Sequence, residues 1–333
     1  MSEPSSGGPA WVFPDQGSQF PGMGRELDRS EPTLGLLARA GEVTGLPVAE
    51  LMRSADAATP TDPEVGQVLV FVWSCAMAAR LGVRGCRPAL VAGHSLGEYS
   101  ALVACGSLDI DTALRLVSSR GKAMARATRR HPGAMAAVVG LPPDVVLKLC
   151  GEQDGETVVV AHFNSPRHIV VSGEASAVRA VATAARDSGA LWVRLFSGGS
   201  AHHSPLMAEA EAELARELAT VRLRPPGVPL VSSVTGQVVS DVTRYRELLL
   251  RQVTSPVRWD ATVRTLIALG AGTFVEIGPG RMLASLGREI ARTARHLGTH
   301  EALRLAEPSV AVGEMSEAAL GYLVFRAFGR ELT

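Results

Sequence analysis

Residues Pro88 to Cys105, PALVAGHSLGEYSALVAC, leave few options for the local fold. An apolar run of strand length, Ala89 to Ala92, leads into a sharp turn, Gly93-His94-Ser95-Leu96-Gly97. A helical stretch, Glu98 to Ala104, follows. Strand, G-x-S-x-G turn and helix are the parts of a nucleophile elbow. The two glycines let the backbone pack closely on either side of Ser95. Its hydroxyl is then held exposed at the strand tip, over the helix N-terminus. Negative charge developing there meets unpaired N–H groups and the positive end of the helix dipole. The plain alternative is a glycine-rich turn with a capping serine; the correct flanks on both sides argue against it.

An elbow of this kind needs an α/β frame, and the rest of the chain supplies one. Ala10-Trp11-Val12-Phe13 reads as a short strand, and the loop from Asp15 to Gly24 follows it. The loop matches neither G-x-G-x-x-G nor G-x-x-x-x-G-K-[ST], so it is a weak nucleotide site. A backbone amide from it fits better as the second donor of an oxyanion hole, since elbow enzymes recruit one from another strand–helix loop. Helices are expected over residues 31–44, 47–53 and 62–81, the last containing Gln67. Another is expected over 109–129, entered through an N-cap region at Asp109. It carries Arg120. An arginine in a mostly apolar helix is usually a surface residue whose stem lies over the core.

After His131-Pro132-Gly133 the rhythm changes. Strands over 134–139, 157–161, 169–172 and 191–195 alternate with helices over 142–151 and 176–188. The order is β-α-β-β-α-β, that of a ferredoxin-like unit. We therefore read 132–197 as an insert in a larger α/β frame formed by 10–131 and 198–333, behind a flexible N-terminus, 1–9. The frame resumes at Gly198, and His202-His203 sit at the point of re-entry. An active serine needs a base. His203 is the candidate by position and His202 the second. Strands over 228–233 and 273–277 and helices over 245–253, 257–269, 281–295 and 316–328 complete the reading.

Composition narrows the function classes. The chain has 33 basic and 33 acidic residues, so charge gives no argument for nucleic acid. With 46% of its residues hydrophobic it can bury a sizeable core. Cys75, Cys86, Cys105 and Cys150 show no C-x-x-C spacing and read as free thiols rather than metal ligands or disulfides. The N-terminus lacks the pattern of a signal peptide. The apolar runs read as too short or too interrupted to span a bilayer. A cytoplasmic protein, without membrane or nucleic-acid partners, is expected.

The motifs, taken together, resemble the malonyl-CoA:acyl carrier protein transacylase family, including the acyltransferase domains of polyketide synthases. The resemblance rests on Phe13-Pro14-Asp15-Gln16-Gly17-Ser18-Gln19, Gly93-His94-Ser95-Leu96-Gly97-Glu98 and Ser119-Arg120-Gly121-Lys122. It continues through Phe163-Asn164-Ser165-Pro166, His203-Ser204-Pro205-Leu206-Met207, Gln252 to Trp259, and Glu276-Ile277-Gly278-Pro279-Gly280. It implies an α/β-hydrolase-like core with a ferredoxin-like insert. It also implies ping-pong transfer of a malonyl-type unit from CoA to a carrier protein's phosphopantetheine thiol, with no metal or redox cofactor. Ser95 would be the nucleophile and His203 its base, oriented by a backbone carbonyl near Gln252. The amides of Gln16 and Leu96 would form the oxyanion hole. Arg120 would hold the substrate carboxylate in a bidentate pair, which sets aside its reading as a surface residue. His94, His202, Gln67 and Asn164 would line the pocket.

Two departures stand out. Asp15 occupies a position where the family usually has glycine, and it is expected to point to solvent, since aspartate suits turn geometry. Ser200-Ala201-His202-His203 matches neither the malonyl nor the methylmalonyl pattern of polyketide domains, which leaves the α-substituent open. No ketosynthase or carrier segment is present, so a discrete, trans-acting, monomeric enzyme is expected. Two alternatives remain: a transferase that takes an unusual acyl group from an acyl-carrier-protein donor, and an editing acyl hydrolase of the same fold. Because carrier proteins are acidic, a basic rim is expected. Arg126, Arg129 and Arg130, or Arg281, Arg288, Arg292 and Arg295, would form it, though solvated helix faces explain both groups equally well.

Overall fold

The computed structural model describes residues 8–27, 30–53, 63–153 and 155–306. The helix expected over 316–328 and most of the expected flexible N-terminus lie outside them. The first half of the chain contains β1 (Ala10–Phe13), α1 (Glu31–Thr44), α2 (Val48–Arg53) and α3 (Pro63–Val83). Then come β2 (Leu90–Gly93), α4 (Gly97–Ala104) and α5 (Ile110–Arg130). The middle holds β3 (Ala134–Val139), α6 (Pro143–Gly151), β4 (Val158–Ser165), β5 (His168–Gly173), α7 (Ala175–Asp187) and β6 (Trp192–Leu195). The remainder holds α8 (Ala208–Thr220), β7 (Leu230–Ser232), β8 (Gln237–Val238), α9 (Val242–Arg251) and α10 (Trp259–Ala268). It ends with β9 (Thr273–Glu276), α11 (Met282–Ile290), β10 (Arg295–Gly298) and α12 (Thr299–Leu305).

The described residues form a mixed α/β fold with two sheets. The larger runs β10-β9-β1-β2-β7-β8, with all pairs parallel except β7–β8. Its central strands are buried on both faces, which is why they read as unbroken apolar runs. Side chains nevertheless alternate between two cores. Trp11, Phe13, Val91 and Val275 join the cluster under α3 and α4. Ala10, Val12, Leu90, Ala92 and Phe274 join the opposite one, with Trp259 and Leu283. This period of two puts the C-terminal ends of β1 and β2 side by side, with Phe13 in register with Gly93. Ligands of open α/β sheets sit at that edge.

The smaller sheet is antiparallel, in the order β4-β5-β3-β6. Its outer face packs on α6 and α7 through Val138, Val160, Ile169, Val146 and Val178. The chain enters and leaves this unit along one seam, where the Gly133 amide donates to the Gly199 carbonyl at 2.9 Å. On the side of the large sheet, β4 makes a parallel bridge from His162 to Val257.

Three expectations are corrected. Helix α3 is long and apolar enough to cross a bilayer, contrary to the sequence reading. Yet 83% of its most apolar stretch is buried inside the fold, so it is a core helix here. The helix expected over 281–295 ends at Ile290, and Arg295–Gly298 pairs with β9 as a strand. The strand expected over 157–161 runs on to Ser165, through irregularities in its pairing with β5. The four cysteines are free.

Candidate active site

The elbow forms as its sequence suggests. Ser95 has φ 48 and His203 φ 59; among the described residues they alone, apart from glycines, adopt positive φ. Such strain costs about 1–3 kcal/mol per residue and persists only where surroundings over-determine it. Here the His94 amide donates to the Phe13 carbonyl at 2.9 Å, which ties the elbow to β1. The His203 amide donates to the Val253 carbonyl at 3.0 Å, which ties the second turn to the segment after α9.

These anchors bring Ser95 and His203 together from positions far apart in the chain. The Ser95 hydroxyl donates to Nε2 of His203 at 2.8 Å. Nδ1 of His203 lies 2.9 Å from the carbonyls of both Gln252 and Ser255. Two carbonyls can only accept, so Nδ1 carries the hydrogen and Nε2 is left basic. The orienting carbonyl expected near Gln252 is thus present, and Ser255 adds a second. Burial, with a further push from the Arg120 charge against an opposing pull from Asp15, holds the His203 imidazole down at about 4. It is therefore neutral at physiological pH, as a base must be.

Arg120 comes from the buried face of α5 and is 1% exposed. Its Nη2 donates to Ser95 Oγ at 2.9 Å and to Gln252 Oε1 at 3.2 Å, and its Nη1 to Gln67 Oε1 at 2.7 Å. These partners are all neutral. Among the described residues no carboxylate lies within ion-pair distance of this guanidinium. Gln67 Nε2 in turn donates to Gln16 Oε1 at 3.2 Å, and Gln252 Nε2 to the Ser95 carbonyl at 3.1 Å. Nε2 of His94 meets Asn164 Oδ1 at 2.9 Å, which links the elbow to the small sheet. His202 is partly buried, with its Nε2 unpartnered, and its imidazole is pushed down to about 4 by burial and then by Arg120. All ten sequence-derived site residues therefore fall in one neighbourhood.

Asp15 does not point to solvent. Its Oδ1 accepts from the Gln16 amide at 2.7 Å and the Leu96 amide at 3.3 Å. Two amides from β1 and β2 loops thus converge on a single oxygen, and that oxygen belongs to the protein. Oδ2 lies 3.9 Å from Nδ1 of His94.

The sequence reading passed over His162. It lies two residues before Asn164 on β4, where the period of a strand puts both on one face, and that spacing was the available signal. It also left Glu98 without a role. That buried carboxylate accepts from the Ser232 hydroxyl at 3.1 Å, the Tyr245 hydroxyl at 2.9 Å and the Ser233 amide. It clamps α4 to β7 and α9. Much of the expected basic rim is internally paired: Arg126 with Glu213, Arg130 with Glu209 at 2.8 Å, and Arg281 with Glu301 at 2.6 Å.

The family model described as "Acyl transferase domain" matches residues 10–319. A malonyl CoA-acyl carrier protein transacylase of Bacillus subtilis is 34% identical over 295 residues, covering 88% of this chain and 93% of that protein. The solved transacylase of that name from Coxiella burnetii superposes with a TM-score of 0.86 at 30% identity, over 90% of this chain and 96% of its own. A malonyl-transacylase solved in complex with its type II polyketide synthase acyl-carrier protein also gives a TM-score of 0.86, at 34% identity. It covers 90% of this chain and 98% of its own.

Proposed function

The chain belongs to the acyl transferase domain family, and from that premise we infer that it moves a malonyl group from CoA to the phosphopantetheine thiol of an acyl carrier protein. The observation that carries this reading is Arg120. A buried cation without an anion is costly, by several kcal/mol. A guanidinium held beside the nucleophile by three neutral partners is a site prepared for a carboxylate that arrives with the substrate. Malonyl has one and acetyl does not.

The chemistry follows from the contacts. Ser95 Oγ attacks the thioester carbonyl while Nε2 of His203 takes its proton. The oxyanion is received by the amides of Gln16 and Leu96, once Asp15 has released them. Collapse expels the CoA sulfur, which takes the proton from His203 and leaves malonyl esterified to Ser95. The carrier thiol then enters, gives its proton to His203 and attacks the ester. Ser95 Oγ departs and recovers that proton. Arg120 holds the free carboxylate throughout, positioned by Gln67 and Gln252, while His94, Asn164 and His202 wall the pocket. Side chains and two backbone amides supply each step, so the proposed transfer calls for no redox cofactor or metal.

Finer features of the fold belong to the same reading. The parallel sheet with its elbow after β2 supports an α/β-hydrolase-like core over 10–131 and 198–333. The strand order of the smaller sheet and its two helices support a ferredoxin-like insert over 132–197. Four unbridged thiols fit a cytoplasmic setting.

Intact-mass measurement after incubation with malonyl-CoA or acetyl-CoA tests the reading. A malonyl adduct is expected on the wild type and absent from Ser95→Ala. Arg120→Ala should lower malonyl loading about a hundredfold, the equivalent of about 3 kcal/mol, and acetyl loading far less. Equal losses would remove the carboxylate role. No adduct from either thioester would favour a carrier-protein donor or a hydrolase.

A further inference from the structure

His162 has no part in the transfer, yet its imidazole is buried against the centre. It lies edge-on to the rings of His94 and His203, at centroid distances of 4.9 and 5.0 Å. It is 8% exposed, and its Nε2 has no hydrogen-bond partner. Leaving a buried polar atom bare is costly, and such atoms call for an explanation. Beside it stand two further donors. Asp15, His162 and His203 each present one ligand atom within 4.8 Å of the other two. Nδ1 of His203 is committed to two carbonyls, so Nε2 is the nitrogen it can offer.

We propose that Asp15, His162 and His203 form a binding site for a divalent transition metal of zinc-like preference, and that the metal switches the enzyme off. The inhibitory part rests on the reading of His203 as the base of Ser95. Two imidazoles and one carboxylate are a zinc ligand set, whereas calcium and magnesium prefer oxygen alone. Bonds of about 2.0–2.2 Å place tetrahedral ligand atoms about 3.4 Å apart, so the cluster closes by inward shifts of about an ångström shared among three side chains. Three protein ligands leave a fourth position for water or a thiolate. A metal on Nε2 takes the acceptor that Ser95 needs. A metal on one oxygen of Asp15 leaves the other across the Gln16 and Leu96 amides. Base and oxyanion site are then disabled together. The three residues come from three distant segments, so no sequence spacing announces the site.

The test uses the full chain with zinc chloride in two assays. Competition with a chromophoric zinc chelator reads binding without turnover, and malonyl transfer reads inhibition. Wild type should bind zinc and lose transfer in proportion to occupancy, with recovery on adding EDTA. Ser95→Ala should bind zinc equally well, which separates the site from the proposed function. His162→Phe keeps a ring in the same space without a nitrogen; it should retain basal transfer and bind zinc at least tenfold more weakly. Asp15→Asn should weaken zinc binding to a similar degree and carries the test if His162→Phe does not fold. Zinc binding of wild-type strength in either folded variant would overturn the site. Zinc bound to the wild type with transfer undiminished would overturn the switch.

Discussion

Asp15 holds the two amides on which the proposed reaction depends. A thioester oxygen reaches them only after the carboxylate swings away, and the lost charge-assisted hydrogen bonds set the cost of that motion. Removing the side chain should therefore speed acylation. Asp15→Gly is expected to raise the rate of Ser95 malonylation about tenfold in rapid-quench mass spectrometry, and to raise loss of malonyl to water. A slower variant would mean that Asp15 positions the loop instead of blocking it. Ser95 and His203 were legible as candidates from the residues themselves, whereas Arg120 as the carboxylate partner and Gln16 and Leu96 as the amide donors were expected only from the family resemblance. The direction of Asp15 followed from neither. Its acceptor position is defined by Leu96, which lies 81 residues further along the chain, and no local pattern encodes such a contact. His162 had a local signal in its spacing from Asn164, but its contacts with His94, in the turn after β2, and with His203, in the turn before α8, had none.

Among the elements, the junction of β1, β2 and α4 leaves no room for added side-chain atoms at its two glycines. A Cβ on Gly97 would overlap the Phe13 carbonyl, and one on Gly93 would overlap the backbone at Gly97 and Glu98. Gly97→Ala should push the elbow off β1, lowering malonyl loading by at least a hundredfold and the melting temperature by several degrees. Gly35→Ala in α1 meets nothing within 4 Å and should instead stabilise by about 0.5–1 kcal/mol. If both substitutions moved the melting point alike, close approach at the elbow would not be the cause. Elements with a clean period were readable in the sequence: β1, α1 and β3 have the expected limits. The misses lie where tertiary pairing overrides propensity. Arg295-His296-Leu297-Gly298 has little strand character of its own and is extended because the β9 edge accepts it. The extension of β4 depends on its partner, Val257, 95 residues further along the chain.

For the molecule as a whole, the buried imidazoles govern the response to acid. Burial holds His94, His162, His168, His202, His203 and His296 below their ordinary value, with His202 and His203 near 4. In the unfolded chain they titrate near 6.5. As pH falls below 6.5 the unfolded state takes up protons first, so stability is full above that value and is lost as pH drops towards the folded values. Glu98 and Glu276, raised by burial, act the opposite way: they contribute below their unfolded value, and Glu276 loses its contribution as pH rises through about 7. The histidines outnumber them, so the melting temperature should fall by several degrees between pH 7.5 and pH 5. His202→Asn should flatten that slope. The acylation rate of still-folded enzyme should change little over the same range, because His203 stays neutral until about pH 4. A rate that fell with a midpoint near 6.5 would show an unperturbed base.

The bridge between β4 and Val257 joins the small sheet to the short segment that also carries the Gln252 and Ser255 carbonyls. The small sheet is therefore tied to the segment whose carbonyls hold the His203 ring in place. A change in the small sheet that moves the His162–Val257 bridge is expected to shift the imidazole of His203 together with the pocket wall.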